Sequence, residues 1–278
     1  MKKVTAFAPA HISGFFIPKI TKKPEESGSL GAGVCLDDGI TAEVSFSNTT
    51  RILLNNKPFE CSPLIDAIRT ITDAPLKIKL NSTVPFGAGF GASGASTLAS
   101  VVAANQLQNV NFTRNQLAQI AHTTEVINRT GLGDIPAQIT GGIVIRLKEG
   151  VPPHNKIDKI LTRLISVSWV SFKNISTKKI LEDDTLQKQI AASGENALKN
   201  LISRPTIENF MIQSNKFTGE VNLASNHVLD AIEAARANGY TAAQAMLGDT
   251  AFAIGKNVFS EYEHARTSLI SHTGATLL

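Results

Sequence analysis

A chain of 278 residues, with 42% hydrophobic and 18% charged side chains, can bury a sizeable core and is long enough for two domains of ordinary size. No apolar run approaches the roughly 20 residues that span a bilayer, and Pro9, His11 and Ser13 interrupt any leader-like core behind Lys2 and Lys3, so a cytoplasmic protein with no membrane partner is expected. The 27 Lys and Arg outnumber the 23 Asp and Glu, but they are scattered and aromatics are only 6%, which argues against nucleic acid and suits an enzyme whose substrates are anions.

The first strand-like runs are Val4 to Ala8 and Thr41 to Phe46, on either side of a polar loop with Lys19, Lys22 and Lys23. Cys35 and Cys61 lack metal-ligand spacing and read as structural thiols. An alternating segment, Leu76 to Leu80, then runs into Pro85-Phe86-Gly87-Ala88-Gly89-Phe90-Gly91-Ala92-Ser93-Gly94-Ala95-Ser96 and an alanine-rich helix. Strand, glycine-rich loop and helix start is the arrangement that binds phosphate. Glycine lets the backbone approach an anion, and the helix start offers unpaired N–H groups and a positive dipole end. A Walker A loop is excluded, since no lysine lies between Asn81 and Asn128. A dinucleotide fingerprint fits poorly, because the next carboxylate after the loop is Glu125. A purely structural glycine turn is the remaining alternative.

A second helix is expected from Thr113, capped by its hydroxyl with Gln116 three residues on, burying Leu117, Ile120, Ala121 and Thr124. It carries His122 and Glu125 on one face and ends in Asn128-Arg129-Thr130-Gly131-Leu132-Gly133-Asp134, with Pro136 expected to stop the helix from resuming. The flanking glycines free the backbone to aim Asp134 into a cleft; capping of a following short helix is the other reading. Phosphoryl transfer would use these residue types. Ser93 and Glu125 supply the oxygens that magnesium prefers, leaving Asp134 for the acceptor hydroxyl. Arg146, in the apolar strand Gly142 to Leu147, either faces solvent or pairs with an anion through its planar fork.

Gly150-Val151-Pro152-Pro153 breaks the pattern, giving an N-terminal unit of residues 1–152 and a C-terminal unit of residues 153–278. The latter holds a strand from Leu164 to Trp169, helices around Asp184 to Leu201, Pro205 to Phe217 and Val221 to Asn238, the last ended by Gly239, and a small-residue turn at Met246 to Ala253. The expected class is α+β, in two domains.

The pattern Pro-x-x-x-Gly-x-Gly-x-Ser-x-Ala, at Pro85, Gly89, Gly91, Ser93 and Ala95, resembles the ATP loop of the GHMP kinases. With Ala8 to Phe16, Ser29 to Leu36, Asn128 to Gln138 and Met246 to Ala253, the resemblance narrows to archaeal pantoate kinases and runs from residue 3 to about residue 255. It implies ATP-dependent phosphorylation of the 4-hydroxyl of pantoate on the archaeal route to coenzyme A. It further implies an N-terminal domain like that of a ribosomal protein, a ferredoxin-like C-terminal domain, and a homodimer. By resemblance, Gly87, Ala88, Gly89, Phe90, Gly91, Ala92 and Ser93 surround the ATP phosphates, Ser93 and Glu125 hold Mg²⁺, and Asp134 is catalytic. Arg146, His122 and Ser13 look like pantoate contacts. Two departures stand out: Ala92-Ser93 replaces the two serines of many GHMP kinases, and Gly248-Asp249-Thr250 replaces a glycine-rich third motif. A GHMP kinase for mevalonate or homoserine, or a ligand sensor without turnover, are the competing expectations.

Overall fold

Two long strands, Lys3–Lys19 (β1) and Gly28–Phe46 (β2), pair antiparallel almost end to end and form the spine of the first sheet. The computed structural model describes residues 2–173 and 184–278. Bulges between Pro9 and Ala10 and between Ser13 and Phe15 shift the register of this hairpin. The middle of each strand, residues 8–12 and 31–36, is buried on both faces, so the alternation that marks a strand is lost there and only the two ends were legible as strands.

Arg51–Leu54 (β3) and Lys57–Pro58 (β4) form a small hairpin at one edge, followed by helix Ser62–Ile71 (α1) and strand Leu76–Ser82 (β5). Helix α1 was not anticipated. It buries Leu64, Ala67, Ile68 and Ile71 at helical spacing, and each large aliphatic chain removed from water contributes about 1.5 to 3 kcal/mol. Helix Ala92–Gln108 (α2) follows the glycine loop and is buried on nearly every side, between the sheet and the neighbouring helices. Its alanines, serines and glycine permit that close approach. Helix Arg114–Ile127 (α3) opens on the expected capping box, with the Thr113 side chain accepting from the Gln116 N–H and the Gln116 side chain accepting from the Thr113 N–H.

A short helix, Asp134–Thr140 (α4), follows directly, and Pro136, expected to prevent a helix, lies in its first turn, where a missing N–H costs nothing. Strands Ile143–Lys148 (β6) and Lys156–Ile160 (β7) then form a hairpin on β2. The expected division after Pro152 falls inside this hairpin. The chain changes sheets between Ile160 and the next strand, Ser166–Lys173 (β8).

Helices Asp184–Ser203 (α5), Ile207–Val221 (α6) and Asn226–Ala237 (α7) separate β8 from the other strands of the second sheet, and after the last of them Gly239 turns with a φ of 81° in the expected C′ role. Strands Ala242–Gln244 (β9), Asp249–Ile254 (β10) and Arg266–Leu269 (β11) complete it in the order β11-β8-β10-β9, all neighbours antiparallel. Counted within this unit the order is 4-1-3-2, the ferredoxin-like arrangement. Turns replace the second crossover helix. Thr276–Leu277 (β12) returns to the free edge of β1. The protein is thus α+β with two sheets, and the ring of Phe90 in the glycine loop meets Trp169 of β8 edge-on at 4.7 Å.

Candidate active site

The glycine loop stands between the two sheets. Gly87, Gly89 and Gly91 have φ of 71°, 87° and 59°, values that favour glycine, and Gly91 is the residue just before helix α2. Its carbonyls are tied outward: Ala88 O accepts from Thr250 Oγ1 (2.7 Å), Phe90 O from the His11 N–H (2.9 Å), and Gly91 O from Gln138 Nε2 (2.8 Å). Among the described residues, no N–H from Gly87 to Gly94 donates to a protein acceptor. The loop therefore presents donors, backed by the α2 dipole, to a cavity of about 330 Å³.

That cavity reaches from the loop to Glu125 and Asp134, and Ser13, Ser29, Leu132 and Met246 are also on its wall. Glu125, on α3, is buried. Its Oε1 accepts from Ser93 Oγ (2.8 Å) and Thr97 Oγ1 (3.2 Å), yet burial outweighs these bonds and pushes the carboxyl up to about 7. A side-chain carbon on Gly131 would stand 3.1 Å from Glu125 Oε2 and 3.4 Å from Asp134 Oδ2. The two carboxylates therefore border one small space that glycine keeps open. Among the described residues no three His, Cys, Asp or Glu side chains come together to cage a metal. The available donors are oxygens on one side only, which suits magnesium, an ion that keeps waters and takes phosphate oxygens.

Asp134 is the first residue of α4, but its carboxylate does not cap the helix. Its Oδ1 lies 2.8 Å from His11 Nδ1 on β1. His11 was not among the expected site residues, being separated from Asp134 by 123 positions.

Arg146 does not face solvent. It is buried in β6, where its Nε donates to Ser29 O, Nη1 to His11 Nε2 and Nη2 to Ser13 Oγ, each at 3.2 Å. Burial pulls the guanidinium down to about 10, with Asp134 acting against that. Among the described residues, no carboxylate reaches it within ion-pair distance. Ser13 lies on the cavity wall with Arg146 behind it. His122 is also buried and is not on the wall. Its Nε2 is 2.7 Å from the carbonyl of Ser27, and burial lowers its pKa.

The segment from Gln244 to Thr250 supplies what the sequence left open. Besides the Thr250 bond to Ala88, the Met246 N–H donates to Ser13 O (2.9 Å), and Gly248 packs so closely that a side-chain carbon would stand 2.1 Å from Ala88 O. One turn thus braces both the phosphate loop and the strand carrying Ser13.

Residues 61–142, which hold the loop, the acidic turn and Gln138, match the family model described as GHMP kinases N terminal domain. The chain is similar to a pantoate kinase of Methanocaldococcus jannaschii, with 34% identity covering 90% of this chain and 92% of that protein. It is similar also to one of Methanospirillum hungatei, with 32% identity covering 92% and 89%. A solved structure described as a phosphotransferase related to the CoA biosynthesis pathway superposes with a TM-score of 0.90 at 25% identity, covering 100% of this chain and 99% of that one.

Proposed function

We infer, from the premise that this chain belongs to the pantoate kinases of the GHMP kinase family, that it transfers the terminal phosphoryl group of ATP to the 4-hydroxyl of pantoate. The observation that carries the reading is a single cavity with unpaired loop N–H groups at one end and Asp134 at the other. Gly87 to Ser93 hold the phosphates. Ser93 and Glu125 would hold Mg²⁺, whose charge would offset that of the bound phosphates. The acceptor oxygen attacks the γ-phosphorus, the bond from that phosphorus to the bridging oxygen breaks, and ADP leaves with the electron pair. The hydroxyl proton passes to Asp134, which alone of the two carboxylates is partly exposed.

Arg146 supports an acid as the acceptor. A buried guanidinium with no carboxylate partner in the protein is costly, and a substrate carboxylate at Ser13 would offset its charge. His122 supports this end indirectly, by holding the Ser27 carbonyl two residues before Ser29. The test is ADP release from Mg-ATP with pantoate, mevalonate and homoserine in parallel. Turnover with pantoate alone is expected; turnover with another acceptor in its place would refute the substrate.

We also propose that the protein works as a homodimer in the cytoplasm. No described helix is long and apolar enough to cross a membrane. Leu161 and Leu164, exposed in the link between the sheets, are apolar surface that a second copy would cover. Light scattering giving the mass of one chain would refute the dimer.

A further inference from the structure

His11 lies in β1 with no exposed surface, and three of its contacts converge on the reaction. Its main-chain N–H holds the Phe90 carbonyl of the phosphate loop, its Nδ1 is 2.8 Å from Asp134 Oδ1, and its Nε2 is 3.2 Å from Arg146 Nη1. A guanidinium can only donate, so Nε2 accepts, the ring proton sits on Nδ1, and that N–H donates to Asp134. Arg146 therefore fixes the tautomer. Burial holds the imidazole neutral, with a pKa below the usual histidine range. Gly33 makes room for the ring from the opposite strand, since a side-chain carbon there would stand 2.3 Å from Nε2.

We propose that His11 is a positioning residue for phosphoryl transfer, pinning Oδ1 of Asp134 so that Oδ2 is the oxygen presented to the acceptor hydroxyl. The proposal rests on Asp134 as the proton acceptor. A carboxylate with both oxygens free swings about its Cβ–Cγ bond, whereas one anchored oxygen leaves the other directed at the space bordered by Glu125 and Gly131. The acceptor's proton moves to Oδ2, and His11 keeps its own proton throughout, so it is neither acid nor base.

The experiment compares His11→Asn and His11→Phe, each alone and combined with Asp134→Asn, by kcat and KM. The amide nitrogen of asparagine stands as many bonds from the backbone as Nδ1 and can donate to Oδ1, so His11→Asn should keep most of kcat. Phenylalanine fills the space but donates nothing; it should lower kcat roughly tenfold to a hundredfold, as loss of an orienting partner does at metal ligands, and leave the KM for ATP within about twofold. On the Asp134→Asn background the same change should cost nothing further, since there is no proton acceptor left to position. His11→Leu, which is smaller than phenylalanine and also donates nothing, provides a second route if His11→Phe does not fold: its loss of kcat should likewise vanish on that background.

Equal losses with and without Asp134, or an asparagine variant no better than the phenylalanine one, would reduce His11 to core packing and overturn the proposal. Asp134→Asn retaining about half of kcat, where general-base loss costs a hundredfold or more, would instead refute the proton-acceptor reading on which it stands.

Discussion

Arg146 and Glu125 are both buried charges, and each makes a prediction of its own. Arg146 donates to three protein acceptors from three different directions, so lysine, a single point donor, cannot replace it even with the charge conserved. Arg146→Lys should raise the KM for pantoate by about tenfold to a hundredfold, equivalent to roughly 1.4 to 3 kcal/mol, with the KM for ATP hardly changed. An unaltered KM for pantoate would remove the arginine from the acceptor end. Glu125 titrates near 7 in the folded protein against 4.5 for the free group, so between those pH values the folded state binds the extra proton. Stability from this group is therefore intact below about pH 4.5, falls as pH rises through the window, and is fully lost above about 7, a change of roughly 3 kcal/mol at 1.36 per unit. Urea melts in chelator at pH 5 and pH 8 should show Glu125→Gln losing this slope; parallel behaviour of the two proteins would contradict the burial argument.

At the scale of elements, the phosphate loop owes its shape to neighbours distant in sequence. Thr250→Val removes the donor to Ala88 O and should raise the KM for ATP several-fold, since an unsatisfied buried carbonyl costs about 1 to 3 kcal/mol. Gly248→Ala pushes a carbon against that same carbonyl and should do more damage, visible as lost ATP binding or a lower melting temperature. If neither variant changed ATP affinity, the brace would be incidental. The capping box of α3 is a contrasting local feature: Thr113→Ala should cost about 1 kcal/mol of stability with kcat unaffected, measured by urea unfolding. Local features were the ones legible in the sequence. Gly87 to Ser93, Thr113 with Gln116, and Gly131 to Asp134 each state their chemistry within a few residues. The β1–β2 hairpin was not legible, because its middle is buried on both faces and shows no period-two pattern, and α1 was overlooked beside stronger signals. His11 and Thr250 lie in segments that carried the family resemblance, but nothing local to a histidine in an apolar strand or a threonine in a turn announces a partner more than a hundred positions away.

At the scale of the whole molecule, the site is an assembly of two sheets. The first sheet contributes β1, the helices packed with it carry the loop and both carboxylates, and the second contributes the turn that presses on the loop and on Ser13. The order of strand-like and helical runs along a chain of this length was enough to suggest α+β with two units. It could not show that the link between them lies beyond Ile160, because β7 has the same polar alternation as any surface strand. The brace from Thr250 has a consequence in time. Ala88 and Thr250 are 162 residues apart, and contacts of such separation close late, after local helices and hairpins have formed. The N-terminal half can collapse around α2 with its glycine loop still unset. Nucleotide binding should then be among the last properties to appear on refolding: a fluorescent ATP analogue is expected to gain signal after far-UV dichroism has recovered, and simultaneous recovery would contradict this order. A half-made chain would carry the phosphate-loop sequence and yet be unable to consume ATP.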